Sequence, residues 1–179
     1  RGPAWGRTFF DVTPFTSSKG IGIGLRMVPF LKAVLIAVLW AIVTVAIPLR
    51  LDPVGFSEFT MIGLTCMRVP LILSLAILFD VRDQSSDDPA LRTVPIVFGT
   101  KGAKGIAFFL LLCSASFEFI FLRNLGYATA SWTILIGYAF GLVLAVRARP
   151  VRDAFYYAIL VDGVMIAIPL CAWVGVMLG

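Results

Sequence analysis

The sequence predicts an all-α protein, a polytopic bundle of membrane-spanning helices. Hydrophobic residues make up 60% of the 179 residues and charged residues only 14%, whereas a soluble domain carries about 25% charged residues. The mean hydropathy is +0.98. Five apolar stretches also reach the length of about 20 residues that a transmembrane helix needs. The spans must be helical because the bilayer core offers no partner to an unpaired backbone amide.

Prolines and glycines mark several ends of the predicted spans. Pro48 is predicted to close the first span, and Gly126 and Pro150 lie between later spans. Pro70 and Pro169 lie inside spans and predict kinks. No repeat or linker divides the chain, so residues 1–179 are predicted to form a single membrane domain. The predicted spans are Phe30–Ile47, Phe59–Phe79, Gly105–Leu122, Ala128–Val146 and Ala154–Leu178.

The distribution of lysine and arginine predicts the orientation of the chain. With five spans, the N-terminal segment and the loops 80–104 and 147–153 lie on one side of the membrane. The opposite side carries only Arg50 and Arg123. The positive-inside rule then predicts a cytoplasmic loop 80–104 and an outer C-terminus in a plasma (inner) membrane. The net charge of +5 follows from this bias and from anionic lipid, with no reason to invoke nucleic acid. The basic residues on the predicted cytoplasmic side are Arg1, Arg7, Lys19, Arg26, Lys32, Arg82, Arg92, Lys101, Lys104, Arg147, Arg149 and Arg152.

An acidic segment follows the second predicted span. If the helix continues past Phe79, Asp80, Asp83 and Asp87 have the spacing i, i+3, i+7 and share a face about 60° wide. Crowded carboxylates require a neutralising cation, and Mg²⁺ commonly binds one or two carboxylates together with substrate phosphates. The spacing therefore indicates a Mg²⁺-bridged phosphate or diphosphate site at the membrane boundary. The alternative is a solvated loop whose aspartates balance nearby arginines and lysines.

The wider segment resembles the second aspartate-rich motif of the UbiA family of intramembrane prenyltransferases. In that family, D-x-R-D-x-E-x-D is followed by G-x-x-T-L-P and a further glycine, between the sixth and seventh helices. Residues 30–48 also resemble the family's fifth helix, so the five spans would be helices five to nine of a nine-helix fold. The matching positions in the motif are Asp80, Arg82, Asp83, Asp87, Thr93, Pro95 and Gly99.

Two departures from the family pattern bear on this resemblance. The family's first motif, N-D-x-x-D-x-x-x-D, has no counterpart here, and the chain begins with Arg1 rather than Met. We therefore expect the C-terminal part of a larger prenyltransferase-like domain, which alone would hold half of the site. The glycine before Thr-Leu-Pro is also replaced, and the segment 87–93 is slightly short. This second departure leaves open a subfamily with unusual substrates.

The resemblance implies Mg²⁺-dependent transfer of a prenyl group from a prenyl diphosphate to an aromatic or quinone-precursor acceptor, as in quinone biosynthesis. The diphosphate leaves as an allylic cation develops, and the acceptor attacks that cation. Anchoring to anionic lipid is the competing role for the basic residues. The implied metal ligands and catalytic residues are Asp80, Asp83 and Asp87, and the implied diphosphate contacts are Arg92 first, then Lys32 and Lys101.

Three charged residues lie within the predicted spans: Arg68, Glu118 and Asp162. Intramembrane charges normally face the bundle interior and find partners. We expect Arg68 to pair with Glu118 or Asp162, or Asp162 to line the substrate cavity. A polar clamp between helices is the alternative to a substrate-binding role for Arg68 and Asp162. Trp40 and Thr44, one turn apart, would either line the cavity or pack in the core.

Other classes of membrane protein remain open on the sequence alone. CDP-alcohol phosphotransferases begin their signature with D-G-x-x-A-R, but the segment DGVMIA at 162–167 lacks the arginine. A divalent-cation transporter would use the intramembrane charges, although the aspartates concentrate at the predicted cytoplasmic edge rather than near mid-membrane, where transporter sites lie. A degenerate, non-catalytic membrane protein is the third alternative.

Overall fold

The structure is a computed structural model that describes residues 30–51, 55, 57–86, 93–150 and 155–179. Within these residues the chain is helical, and five helices are long and apolar enough to cross a membrane. The predicted all-α membrane bundle is thereby confirmed. The helices are α1 (Leu31–Leu51), α2 (Glu58–Asp83), α3 (Val94–Asn124), α4 (Ala128–Arg147) and α5 (Tyr156–Leu178).

Helix α1 does not end at Pro48, contrary to the sequence prediction, but continues to Leu51. The backbone widens into a π-helical segment at Ile42–Ala46 immediately before the proline. A proline inside a helix lacks an N–H donor and its ring clashes with the carbonyl four residues earlier, here that of Thr44. The π-helical turn lies at that carbonyl, so local widening accommodates the proline within the helix.

Helix α2 begins at a well-formed N-terminal cap. The Ser57 side chain accepts a hydrogen bond of 3.1 Å from the backbone N–H of Thr60, as N-cap serines do. The helix then runs through Pro70 to Asp83, and α5 likewise continues through Pro169. The prolines expected to kink these spans therefore lie inside continuous helices.

Helix α3 departs from helical geometry at Gly99, where φ is 69° and ψ is 166°. This region of backbone space is essentially restricted to glycine. Gln84, just after α2, stabilises the bend from outside. Its Nε2 donates to the Pro95 carbonyl at 3.2 Å, and its Oε1 accepts from the Thr100 hydroxyl at 2.7 Å. Gln84 at the end of α2 is thus hydrogen-bonded to residues on both sides of the bend at Gly99.

Each helix packs against the next one along the chain, and α2 packs against α1 and α3. Small residues allow the closest approach, between α4 and α5. A Cβ atom on Gly137 would lie 2.9 Å from Ile168 Cα, and one on Gly175 would lie 2.4 Å from Ala130 Cα. Such small residues are typical of membrane helix interfaces, where close backbone approach supplies the attraction. Large apolar side chains cover the outer surface, as lipid contact requires: Leu39, Phe109, Ile136 and Ile166 are among the most exposed.

We expect Gly99→Ala to lower the free energy of unfolding by about 1–3 kcal/mol, because alanine is strained at this positive φ. Gly105→Ala is the matched control, since Gly105 lies in the regular part of α3 and an added Cβ would meet nothing within 4 Å. That control should be neutral or stabilising by about 0.5–1 kcal/mol, the usual gain of alanine over glycine in a helix. Unfolding by SDS titration of the detergent-solubilised protein measures both, and equal effects would contradict the strain at Gly99.

Candidate functional site

A cluster of charges surrounds the last turn of α2. Asp80 is buried, with 6% of its surface exposed. The Lys32 ammonium reaches it from the first turn of α1, with Nζ 3.8 Å from Asp80 Oδ1. The Lys32 side chain is itself 62% exposed, so the ion pair is formed by a buried carboxylate and an exposed ammonium group. The structure therefore places Lys32, which the family resemblance implies as a diphosphate contact, beside Asp80, which it implies as a metal ligand.

Asp83 is held by its neighbour Arg82 in a two-point contact. Arg82 Nε donates to Asp83 Oδ1 at 2.6 Å, and Nη2 donates to Oδ2 at 3.0 Å. Adjacent helical residues do not ordinarily face each other, but Asp83 is the last residue of the helix and Arg82 has a long side chain. The guanidinium also lies 5.0 Å from the centre of the Phe79 ring and 5.9 Å from that of Tyr157. These distances are within the range of cation–π attraction. Lys32, Asp80, Arg82 and Asp83 are called the charged cluster below.

Helix α2 continues past Phe79 as far as Asp83, so two of the three predicted aspartates, Asp80 and Asp83, lie on its last turn. The following residues fold into a turn in which the Ser86 N–H and hydroxyl both donate to the Asp83 carbonyl, at 2.9 and 3.0 Å. Serine side chains favour such local bonds over a continued helix. Asp87 and Arg92 lie outside the described residues. Within the described residues, no group of three or more histidine, cysteine, aspartate or glutamate side chains is placed to hold a metal ion.

The remaining motif residues lie at the start of α3. Thr93 is buried at the N-terminal cap position, and its hydroxyl has no hydrogen-bond partner within the described part of the chain. Pro95 occupies the first turn, as prolines at helix starts do. Lys101 is exposed. Lys104 is committed elsewhere, since its ammonium donates to the Val146 carbonyl near the end of α4.

An apolar cavity of about 350 Å³ adjoins the charged cluster. Phe79, which carries the Arg82 guanidinium on its ring, forms part of its wall. Ile36 and Trp40 line it from α1, one and two turns along the helix from Lys32. We call it the aspartate-side cavity. Its full lining is Ile36, Trp40, Ile72, Leu75, Ala76, Phe79, Asp162 and Met165.

Asp162 is the charged residue in the wall of this cavity. That the cavity holds a substrate stays a prediction. Asp162 belongs to the first turn of the regular α-helical part of α5, directly after a π-helical segment at Tyr156–Val161. The cavity therefore has apolar walls and one carboxylate, and the Arg82 guanidinium lies over the ring of Phe79, one of its lining residues.

A second polar site lies deeper in the bundle. Arg68 Nη1 donates to Glu118 Oε1 at 3.0 Å, and the two side chains are 20% and 21% exposed. The expected partnership of Arg68 with Glu118 is thereby confirmed. Nearby, the Ser114 and Tyr138 hydroxyls share a buried hydrogen bond of 2.7 Å. Sequence reasoning missed Ser114 and Tyr138, although Ser114 precedes Glu118 by one turn, a spacing that places both on one face of α3.

Comparison of the chain with protein-family models, with curated proteins and with solved structures found no match. The geometry of the described residues is therefore the basis for the function proposed below.

We expect Arg68→Met to lower the free energy of unfolding by about 2–3 kcal/mol, because it strands the Glu118 carboxylate in the bundle. This is less than the roughly 3–5 kcal/mol lost on breaking a fully buried pair, since both side chains keep about a fifth of their surface exposed. The double variant Arg68→Met/Glu118→Met should recover most of the loss, because it leaves no uncompensated charge. SDS-titration unfolding measures both, and a double variant as unstable as the single one would contradict this account.

Proposed function

We propose that the protein is a Mg²⁺-dependent intramembrane prenyltransferase that transfers a prenyl group from a prenyl diphosphate to an aromatic or quinone-precursor acceptor. One observation supports this function above others: an apolar cavity lies beside the charged cluster, since Phe79 lines the cavity and its ring contacts the Arg82 guanidinium. A prenyl diphosphate has the same two parts, an anionic head and a hydrocarbon tail. The resemblance of the segment 80–99 to the second aspartate-rich motif of the UbiA family points to the same substrate.

The charged cluster suits a diphosphate–metal complex because it holds both signs of charge. The Asp80 and Asp83 carboxylates offer oxygen ligands, which Mg²⁺ prefers. Lys32 and Arg82 supply cations for diphosphate oxygens, and a guanidinium binds phosphate oxygens with paired N–H groups. In the structure these groups neutralise one another as Lys32–Asp80 and Arg82–Asp83 pairs. On substrate binding, both pairs would exchange partners: the carboxylates would turn to the metal and the cations to the diphosphate.

Bound Mg²⁺ would neutralise the diphosphate and make it a better leaving group. The protein's part is to hold the reacting bond at the mouth of the aspartate-side cavity. Lys32 and Arg82 would stabilise negative charge that grows on the departing diphosphate. The Phe79 ring lies beside Arg82 and faces the cavity, so its π-electrons would stabilise positive charge on the allylic carbon.

The aspartate-side cavity would hold the tail and the acceptor. Its volume of about 350 Å³ lies at the lower end of the range of about 300–1,000 Å³ for small-molecule sites. Its apolar lining would also keep water from the cation, which water would otherwise quench. Asp162, in the cavity wall, would accept the proton that the acceptor loses when its new carbon–carbon bond forms.

A cation-transport function is less well supported by the arrangement of the intramembrane charges. Glu118 and Asp162 line different cavities. Glu118 is paired with Arg68, whose positive charge opposes the entry of a cation. The carboxylates therefore do not form one path among the described residues.

We expect geranyl diphosphate to bind the purified full-length protein in a Mg²⁺-dependent manner and Asp83→Asn to weaken that binding at least about tenfold. This factor corresponds to the loss of one charge-assisted contact. Glu58→Gln is the matched control, because it removes an exposed carboxylate at the opposite end of α2 and should leave binding unchanged. Calorimetry with and without EDTA makes the measurement. Binding that ignores both Mg²⁺ and Asp83 would rule out the proposed mechanism.

We expect Ala76→Phe to weaken binding of geranyl diphosphate while leaving binding of inorganic diphosphate unchanged. The added ring would fill part of the aspartate-side cavity, which holds the tail and not the head. Ile62→Phe places the same ring on an exposed position of α2 and should affect neither ligand. Unchanged binding of geranyl diphosphate by Ala76→Phe would show that the tail does not occupy this cavity.

A further inference from the structure

A second cavity, of about 300 Å³, lies in the other half of the bundle. It is lined by α1, α2, α3 and α5, and its walls are apolar except at the Arg68–Glu118 pair and the Thr44 hydroxyl. We call it the arginine-side cavity. Characteristic lining residues are Thr44, Pro48, Met67, Arg68, Glu118 and Pro169.

Both cavities are lined by residues of α1, α2 and α5, and packed side chains separate them. Ala37 and Ala41 of α1 are fully buried against Ile72 of α2. Val69 and Met165 pack on this small cluster from α2 and α5. An occupant of the arginine-side cavity would therefore not reach the charged cluster without displacing these side chains. The second cavity is a separate compartment in the described structure.

The ion pair determines what kind of molecule this cavity suits. The pair is neutral as a whole, so it offers no net charge to offset the cost of taking a charged ligand out of water. A guanidinium has five N–H donors, and in the described residues Arg68 is bonded through Nη1 to Glu118. A neutral hydroxyl group satisfies both partners, because it accepts from the guanidinium and donates to the carboxylate. Both side chains keep about a fifth of their surface exposed.

We propose that the arginine-side cavity is a second ligand site, which binds a lipophilic phenol or alcohol with its hydroxyl on Arg68 and Glu118. The apolar body of the ligand lies against Met67, Pro48 and Pro169. This site does not depend on the prenyl-transfer function, since it uses none of the residues of the charged cluster. A ligand held between four helices would also stabilise their packing, because it binds the folded bundle alone.

Photolabelling with 4-(3-trifluoromethyl-diazirin-3-yl)phenol tests this site on the purified full-length protein in detergent micelles. After irradiation, mass spectrometry locates the label. We expect it on the α1 segment around Pro48 and on the α5 segment around Pro169. 4-Hexylphenol should compete with the label at a concentration at least about fivefold lower than 4-hexylanisole, which lacks the hydroxyl proton; this ratio of affinities corresponds to one hydrogen bond.

Two variants of α5 provide matched controls for the photolabelling. Ala172→Phe fills the arginine-side cavity and should reduce labelling, whereas Ile166→Phe, at a position 71% exposed, should leave it unchanged. Equal competition by the phenol and the anisole would overturn the hydroxyl assignment and leave a space for lipid tails. Labelling that Ala172→Phe does not alter, or labelling around Trp40 instead, would overturn the location of the site. The competition arms use the unaltered protein, so poor folding of a variant does not weaken the test.

Discussion

The exclusion of water from the bilayer interior is the constraint on which the rest of this structure depends. Isolated charges are costly there, so charged residues on the helices find partners. Arg68 of α2 bonds Glu118 of α3, Lys32 of α1 reaches Asp80 of α2, and Arg82 bonds the adjacent Asp83. Two of these pairs also lie at the cavities. The Arg68–Glu118 pair lines the arginine-side cavity, and Phe79, whose ring contacts Arg82, lines the aspartate-side cavity. The polar groups that hold the helices together are thus the groups available to a ligand.

The local backbone places the charged cluster at a junction between helices. Helix α2 ends in a serine-stabilised turn at Asp83, and α3 bends at Gly99 a short distance along the chain. Gln84 links the two by hydrogen bonds to Pro95 and Thr100. Since the positive φ of Gly99 restricts that position to glycine, one residue type maintains the bend that brings the start of α3 beside the cluster. In the proposed mechanism, the ion pairs of the charged cluster would exchange partners when the substrate binds, while the backbone between α2 and α3 keeps its conformation.

Much of the fold could be predicted from the sequence, because hydrophobic length and helix geometry are local properties. The five spans follow from them. The cost of charge in the bilayer predicted a partner for Arg68, either Glu118 or Asp162, and the structure shows Glu118. Features that depend on three-dimensional packing could not be predicted. The end of α2 at Asp83 reflects competition from serine hydrogen bonds, and the continuation through Pro48 depends on a π-helical turn. The cavities depend on which side chains fail to fill the space between helices, and no periodicity encodes that. Thr44 and Trp40 accordingly line different cavities although they are one turn apart.

The central claim is that the charged cluster and the aspartate-side cavity bind one amphiphilic substrate together. Photolabelling with a geranyl diphosphate analogue that carries a diazirine at the end of its hydrocarbon tail tests this claim most directly. The account predicts Mg²⁺-dependent labelling of Trp40 or Met165, which line the cavity, with protection by excess inorganic diphosphate. Labelling confined to lipid-facing residues such as Phe109 and Ile136, or indifferent to Mg²⁺ and diphosphate, would contradict it.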